Sequence, residues 1–165
     1  MKNTFISSIL LIIIIAGCAA APQPQKTQLQ IREFQTRTYT DVDSKLVMKA
    51  MLNVLQDDGF IVNNAVPELG LLTASREVDI ENKGKAFAAA FFSGVHARWE
   101  KNSLVIASCN VSGIKDGCKV RVNFQQKILD NKNGIIKIRQ IDEQEFYQTF
   151  FNKVSKSIFI QKMGL

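Results

Sequence analysis

The sequence predicts an α+β fold: an antiparallel sheet of about five strands with two amphipathic helices on one face. The chain alternates β-rich and helix-period runs in the order β-α-ββ-loop-βββ-α, and turn-forming residues separate adjacent strands. With 165 residues, 46% of them hydrophobic, it has the size of one domain with a full core. A charged fraction of 22% is ordinary, which excludes a disordered or low-complexity chain.

The first element, residues 1–17, has the pattern of a signal peptide and is excluded from the fold. Lys2 provides the positive start. Residues 5–16 form an apolar segment that is shorter than the ~20 residues of a transmembrane helix. The alternatives are an uncleaved signal anchor, or a secreted protein with a chance cysteine at position 18.

The run Ile-Ala-Gly-Cys at positions 15–18 resembles the lipobox of bacterial lipoproteins. The resemblance implies that Cys18 receives a diacylglycerol thioether, becomes the new N-terminus and gains a third acyl chain such as palmitate. Several acyl chains at ~0.8 kcal/mol per buried CH₂ form a permanent anchor. Ala19, where an Asp would imply inner-membrane retention, implies the periplasmic face of the outer membrane of a Gram-negative bacterium.

Residues 18–29 are rich in Ala, Pro and Gln and predict a flexible tether, which leaves 30–165 as a single periplasmic domain. From Cys18 onward the chain carries 20 basic and 15 acidic side chains. The compartment argues against a nucleic-acid partner. The charges are also dispersed, which favours a solvated basic surface over a dedicated anion site.

The domain opens with an alternating run, 29–40, that predicts a half-buried strand. A helix is then expected, capped by Thr40 and ended by Gly59. Its apolar positions fall on one face: Leu46, Val47, Ala50, Met51, Val54 and Leu55.

Two groups of strands follow. Residues 60–62 and 71–78 flank the turn 67–70 and predict a hairpin, and 103–112, 119–124 and 135–141 predict a three-strand meander. A C-terminal helix is expected to start at cap Asp142. It carries an apolar stripe that we interpret as core: Phe146, Tyr147, Phe150, Phe151, Val154 and Ile158.

Once Cys18 is acylated, two cysteines remain, Cys109 and Cys118. An even count suits an oxidising compartment, and the turn-forming residues 110–117 between them predict a disulfide across a hairpin. Closing so small a loop is worth ~2–3 kcal/mol. The alternative, a redox or metal pair, is weak because the spacing is not CxxC and no histidine completes a site.

The mature chain also resembles a group of small, functionally uncharacterised proteobacterial outer-membrane lipoproteins. Runs that carry the resemblance include Leu-Gln-Asp-Asp-Gly-Phe at 55–60, Leu-Gly-Leu-Leu-Thr-Ala-Ser at 69–75 and Val-Arg-Val-Asn-Phe-Gln at 120–125. The element order is similar to the helix-grip domains of the C-component lipoprotein of the β-barrel assembly machine. The resemblance implies no catalytic residues.

The sequence predicts no enzyme, no cofactor and no metal site. His96 is the only histidine, so triads and His-rich metal sites lack a second member. The chain has no phosphate-binding loop, dinucleotide fingerprint or HExxH motif. Paired carboxylates such as 57–58 lie at predicted helix ends, where capping and the helix dipole explain them.

The segment 84–94 consists almost wholly of small and aromatic residues. As a helix it would place Phe87 and Phe91 on one face with Phe92 beside them, a candidate docking surface for a protein or membrane. The alternative is a short buried helix that closes one end of the sheet.

These observations lead to one functional hypothesis and two alternatives. The leading hypothesis is a lipid-anchored, non-enzymatic binding module that docks to an envelope assembly, secretion or transport complex through a sheet edge or the Phe87 segment. The first alternative is a carrier or sensor of a small apolar or lipid ligand. The second is adhesion to peptidoglycan or lipopolysaccharide through basic residues: Arg98, Lys101, Lys119 and Arg121.

Overall fold

The computed structural model describes residues 26–82 and 98–164. These residues form an α+β domain with one antiparallel sheet, as the sequence predicts. The sheet has six strands rather than about five, and the described residues contain three helices rather than two. The helices are α1 (Gln28–Phe34), α2 (Ser44–Asp57) and α3 (Gln144–Lys162). The strands are β1 (Thr36–Thr40), β2 (Ile61–Val66), β3 (Leu71–Asp79), β4 (Glu100–Ile114), β5 (Gly117–Asp130) and β6 (Ile135–Gln140).

The sheet has the order β1-β5-β4-β3-β2, and β6 also pairs with β5. Strand β1 pairs with the first residues of β5, from Gly117 to Arg121, whereas β6 pairs with its later residues, from Gln125 to Leu129. Since β4 occupies the other side of β5, β1 and β6 share one edge of that strand and leave a gap between them. The hairpin β2–β3 and the meander β4–β5–β6 are confirmed.

The gap between β1 and β6 is filled by a tyrosine hydroxyl. The backbone N–H of Phe124 donates to Tyr147 Oη at 3.2 Å, and this hydroxyl donates to the carbonyl of Ile141 at 2.9 Å. The side-chain amide of Gln35 also donates to Tyr147 Oη, at 3.2 Å. These bonds supply partners for backbone groups that neither short strand reaches.

The core lies between the inner face of the sheet and helices α2 and α3. Alternation along β5 buries Val120, Val122 and Phe124 and leaves Lys119 and Arg121 exposed, as predicted. The aromatic stripe of α3 is confirmed as core except at one position, Phe146. The buried residues of the two helices are Val47, Met48, Ala50, Met51, Val54, Leu55, Tyr147, Phe150, Phe151, Val154 and Ile158.

The prediction of one strand over 29–40 is wrong for its first half, which forms α1. Thr27 and Gln30 make a reciprocal capping box: the Thr27 side chain accepts from the Gln30 backbone, and the Gln30 side chain accepts from the Thr27 backbone. This pairing satisfies two free donors of the first turn and starts a helix there. The predicted tether 18–29 is therefore too long, because Gln28 and Leu29 belong to α1.

Two predicted helix starts are also wrong by one to three residues. Thr40 ends β1, and Asp43 caps α2 by accepting from the Lys45 backbone. Helix α3 has Glu143 rather than Asp142 at its N-cap, with no side-chain capping bond. The predicted stop at Gly59 is confirmed: with φ of 79° it allows the Phe60 N–H to reach the carbonyl of Leu55 at 2.9 Å.

The predicted disulfide between Cys109 and Cys118 is absent, and both residues are free and buried. In the β4–β5 register, Cys109 lies opposite Val122, and Cys118 lies opposite Gly113. The two cysteines are thus offset by four residues along the hairpin, ~14 Å at the rise of a strand. A disulfide requires Cα atoms within ~7 Å.

We expect both thiols to react slowly with a maleimide in the folded protein and to label fully in urea without a reductant. Burial raises the pKa of Cys109 to about 12 and also raises that of Cys118, so little thiolate forms near neutral pH. Mass spectrometry counts the labels. A denatured, unreduced chain that takes no label at either cysteine would contradict this expectation.

The turn between β5 and β6 is organised by the buried carboxylate of Asp130. Its Oδ1 accepts from the backbone N–H groups of Lys132 at 2.8 Å and Gly134 at 2.7 Å, and its Oδ2 pairs with Arg98 Nη1 at 2.9 Å. The hydrogen bond from Gly134, followed by that from Lys132 and the charge of Arg98, lowers the pKa of Asp130 against the effect of desolvation.

We expect Asp130→Asn to flatten the loss of stability at acid pH. Because the folded pKa of Asp130 is lowered, its contribution is present above the unfolded pKa of ~3.9 and disappears as pH falls through the folded value. Urea unfolding between pH 2 and 6 measures this slope. Asp57→Asn, at an exposed position of α2, is the matched control, and equal curves for Asp130→Asn and wild type would contradict the expectation.

Candidate functional site

The most distinctive concavity of the described chain is a cleft of about 560 Å³, bounded by the first turns of α3, the end of α2 and the inner face of the sheet. It is called the apolar cleft below. Six apolar residues form its floor: Phe60, Val105, Phe124, Ile141, Phe146 and Phe150. Charged and polar residues form its rim: Asp58, Arg76, Glu143, Glu145, Thr149 and Lys153.

The floor is held by aromatic contacts that follow from local sequence. Phe124 points inward from β5, and Phe146 and Phe150 lie one turn apart on α3. The ring of Phe124 lies 4.9 Å from that of Phe146 and 5.2 Å from that of Phe150, both edge to face. Phe146 remains 39% exposed, because it lies at the open side of the cleft floor and not at the centre of the core.

Arg76 dominates one side of the rim. It occupies an inward position of β3, two residues after buried Ala74, and its guanidinium lies 5.2 Å from the centre of the Phe60 ring. Its Nη1 donates to the carbonyl of Asp58 at 2.7 Å. The Nε is buried and has no hydrogen-bond partner within 26–82 and 98–164, so its N–H donor is unsatisfied.

The rim carries charges of both signs. Lys153 donates to the carboxylate of Asp58 beside Arg76. On the other side, Glu143 lies 3.8 Å from Arg139, and Glu145 lies in the first turn of α3. The cleft therefore offers an apolar floor, with Arg76 and the Lys153–Asp58 ion pair towards the end of α2 and two carboxylates towards the start of α3.

This arrangement is suited to binding. A volume of about 560 Å³ lies within the ~300–1,000 Å³ typical of small-molecule sites, and an apolar lining with a few polar groups is typical of them. Among the lining residues, Thr149 has the only hydroxyl, and neither histidine nor cysteine is present to form a nucleophile–base pair.

Several sequence-predicted site residues lie outside the described residues: Cys18, Phe87, Phe91, Phe92 and His96. Cys109 and Cys118 are placed in the core and do not line the cleft. The four basic residues are not brought together as one site. Arg98 pairs with Asp130, whereas Lys119 and Arg121 are on the outer face of β5.

Arg76 and the cleft that it lines were not predicted from the sequence. One pattern in the sequence could have identified Arg76. The inward positions of β3 are Leu72, Ala74 and Arg76, and a charged side chain at an inward position is costly unless it has a binding role or a partner. Phe124, Phe146 and Phe150 were assigned to the core, and the structure shows that they also line the cleft.

None of the helices in the described ranges combines the length and the apolar character required to cross a bilayer. No cluster of three or more His, Cys, Asp or Glu residues with metal-binding geometry occurs between 26 and 82 or between 98 and 164.

Comparisons with known proteins include a distant structural neighbour. No protein-family profile matches the chain, and no curated protein matches it in sequence. A DUF4468 family protein from Bacteroides ovatus is similar over 74% of this chain and 84% of its own, at 9% identity and a TM-score of 0.38. That likeness is too distant to inform function.

Proposed function

We propose that this protein is a lipid-anchored, non-enzymatic binding module at the periplasmic face of the outer membrane, and that its apolar cleft is the binding site. The anchor rests on the lipobox-like run at 15–18 and the Pro- and Gln-rich residues that follow it. The binding role rests on the cleft. No side chain outside 26–82 and 98–164 is needed for this second part.

The single observation that carries the binding role is an apolar floor beside the partly buried Arg76, whose Nε has no hydrogen-bond partner within the described residues. The ring of Phe146, which is 39% exposed, suits an aliphatic or aromatic body. The unpartnered Nε of Arg76 suits a carboxylate, phosphate or carbonyl oxygen. The ligand class is therefore an amphipathic small molecule with an apolar body and an oxygen-bearing head, which favours the carrier or sensor hypothesis.

The balance of energies sets the expected affinity. Burial of ~200 Å² of apolar ligand surface contributes ~5 kcal/mol, and the loss of ligand freedom opposes it by a similar amount. The charged head must then supply most of the net affinity. A ligand of this class should therefore bind more tightly than a plain hydrocarbon of the same size.

We expect 11-(dansylamino)undecanoic acid, used as the probe, to bind with increased fluorescence, and Thr149→Trp to weaken binding about tenfold or more. Thr149 is exposed on α3 and lines the cleft, so an indole there fills the cleft without entering the core. Asn152→Trp, exposed on the same helix and outside the cleft lining, is the matched control. Fluorescence titration of the folded protein gives the affinities.

Two outcomes would contradict the cleft assignment. Equal weakening by both tryptophan variants would place the probe elsewhere or indicate a general effect on α3. Equal binding of dansylamide, which lacks the fatty acid chain and its carboxylate, would show that neither the chain nor the head contributes.

The anchor is tested separately by mass spectrometry of the protein isolated from membranes of an expressing Gram-negative host. We expect an N-terminal peptide that begins at Cys18 and carries diacylglycerol and acyl mass. Cys18→Ala should accumulate as the unprocessed, unacylated chain. A mature N-terminus at another residue, with position 18 unacylated or removed, would overturn the anchor while leaving the cleft experiment valid.

Docking of an envelope protein is the second candidate, and the exposed edge strand β6 favours it. Among the described strands, β6 pairs only with β5, and its Ile135, Ile136 and Ile138 are each about half exposed. An extended segment of a partner could add to this edge. A photocrosslinker at Ile136 should capture one envelope protein, and Ile138→Lys should abolish the capture. A crosslinker at Lys49 on α2 that captures the same protein would contradict docking at β6.

A further inference from the structure

A second concavity lies on the opposite side of the sheet, between α1 and the outer face of β1 and β5. It is called the basic groove below. Its cations are Arg32, Lys119 and Arg121, and its one acidic residue is Glu33. It is completed by Leu29, Thr36 and Thr38.

The register of the sheet explains why the cations converge. Lys119 and Arg121 alternate with buried Cys118, Val120 and Val122, so both point away from the helix layer. Strand β1 places Thr38 opposite Lys119 and Thr36 opposite Arg121, and neither threonine adds charge. No ion pair engages Lys119, Arg121 or Arg32 within the described part of the chain, so all three are available to an external anion.

The groove also presents one strongly exposed apolar side chain. Leu29, in the first turn of α1, is 77% exposed, whereas Ile31 in the same helix is buried. A lone exposed leucine means little by itself. Here it lies beside three cations, which is the combination found on surfaces that rest on anionic lipid: basic residues for phosphates and an apolar residue for the interface.

The length of chain between Cys18 and α1 limits how far the basic groove can lie from the membrane. Lys26 lies two residues before α1, and eight peptide steps connect Cys18 to Lys26. Fully extended, those steps span at most ~29 Å. On the proposed acylation of Cys18, the groove is therefore held close to the membrane surface at all times, at a high effective concentration.

We propose that the basic groove lies against the anionic phospholipid surface of the membrane that holds the acyl anchor. Arg32, Lys119 and Arg121 contact lipid phosphates, and Leu29 enters the headgroup region. This inference rests on the proposed anchor, which keeps the domain near the membrane. It adds the orientation of the domain relative to the bilayer. The outer face of the sheet faces the bilayer, and the apolar cleft on the helix side faces away from it.

The test is hydroxyl-radical footprinting of the mature, acylated protein in vesicles, read by mass spectrometry. Vesicles contain phosphatidylcholine alone or with 30% phosphatidylglycerol. We expect Leu29 to be oxidised about fivefold more slowly in the anionic vesicles, as ordering of a few cations at a charged surface implies. Ile61, which is 74% exposed on β2, is the internal reference and should not change.

The matched variants change the same number of charges on opposite sides of the molecule. Lys119→Gln with Arg121→Gln should abolish the protection of Leu29. Lys45→Gln with Lys49→Gln, at exposed positions of α2, should retain it. High salt should weaken the protection because the contacts are exposed and screened.

Each other outcome overturns the inference. Protection of Leu29 that is equal in both vesicle types, or lost equally in both double variants, would leave net charge or the anchor alone as the cause. Protection by peptidoglycan fragments or lipopolysaccharide, with none by anionic phospholipid, would assign the groove to a different surface. If the protein is acylated but Leu29 is not protected, the membrane contact of the basic groove is refuted and the anchor stands. If no acyl mass is found on the protein, both the anchor and this orientation are refuted.

Discussion

We expect Phe124→Ala to lower the free energy of unfolding by about 3–5 kcal/mol, the largest effect that we predict for one side chain. Phe124 is 1% exposed, and its ring lies between 4.9 and 6.0 Å from the rings of Phe60, Phe146, Tyr147 and Phe150. Truncation removes the shared partner of all four rings and leaves a cavity that rigid secondary structure cannot close. Urea unfolding followed by circular dichroism measures the loss.

The control for this prediction is Phe159→Ala. Phe159 is on the same helix as Phe146 and Phe150 but is 61% exposed, so the same chemical change should alter stability by no more than about 0.5 kcal/mol. Comparable losses in the two variants would mean that the α3–sheet contact is not the centre of the core.

Phe124 also links the stability of the fold to the proposed function. The residue forms part of the floor of the apolar cleft, so its partners on α3 hold both the core and the binding surface. Phe124→Leu retains most of the apolar volume and should keep the protein folded. It should still weaken binding of the dansyl probe, because it removes the ring edge that faces Phe146.

Periodicity was enough to predict the layers of this fold. The buried residues of β5 repeat every second position, as in a strand, and those of α2 repeat with the period of a helix. Burial of one face is sufficient to produce both patterns. The alternation in 29–40 was misleading because residues 28–34 also satisfy a helix. There the capping box formed by Thr27 and Gln30 decides between the two, which is a two-residue effect that a period does not contain.

The disulfide prediction failed because hairpin register depends on turn geometry, which spacing alone does not determine. The pairing of Ile114 with Gly117 leaves a two-residue turn, Lys115–Asp116, and fixes every later pair. Gly117 has φ of 144°, and a Cβ there would lie 2.1 Å from the carbonyl oxygen of Tyr39 in β1. That close approach ties the turn to a third strand from a distant part of the sequence.

The apolar cleft could not be predicted from sequence for a related reason. Its floor combines residues of β4, β5, α3 and two connecting segments, separated by up to about ninety positions along the chain. Each residue alone has the pattern of an ordinary core position. These residues meet at an open surface because the helix layer ends before the longer sheet does. Where it ends depends on the lengths of β5 and α3.

We expect Tyr147→Phe to lower the free energy of unfolding by about 1–3 kcal/mol, although the ring and its packing are preserved. The substitution removes one oxygen and leaves the N–H of Phe124 and the carbonyl of Ile141 without their partner in the gap between β1 and β6. The amide of Gln35, which is 1% exposed, also loses an acceptor. Leaving a buried polar group without a partner costs more free energy than the hydrogen bond contributes to stability.

Alkaline pH gives a second measurement of the same role. Burial raises the pKa of Tyr147, with smaller opposing effects from the hydrogen bonds of Phe124 and Gln35. A raised folded pKa means that the contribution of the protonated phenol is present below the unfolded pKa of ~10 and disappears as pH rises through the folded value. Stability of Tyr147→Phe should therefore fall less steeply than that of wild type above pH ~10.

Tyr39→Phe provides the chemically identical control with the opposite expectation. The Tyr39 hydroxyl is buried, and it makes no hydrogen bond of normal geometry within the described chain. Burial raises its pKa, against a smaller lowering effect of the Ser155 hydroxyl, which already donates to the carbonyl of Phe151. Removal of an unsatisfied oxygen should leave stability unchanged or increase it slightly. If the two Tyr→Phe variants lose stability equally, burial of the ring rather than repair of the sheet edge explains why Tyr147 is required.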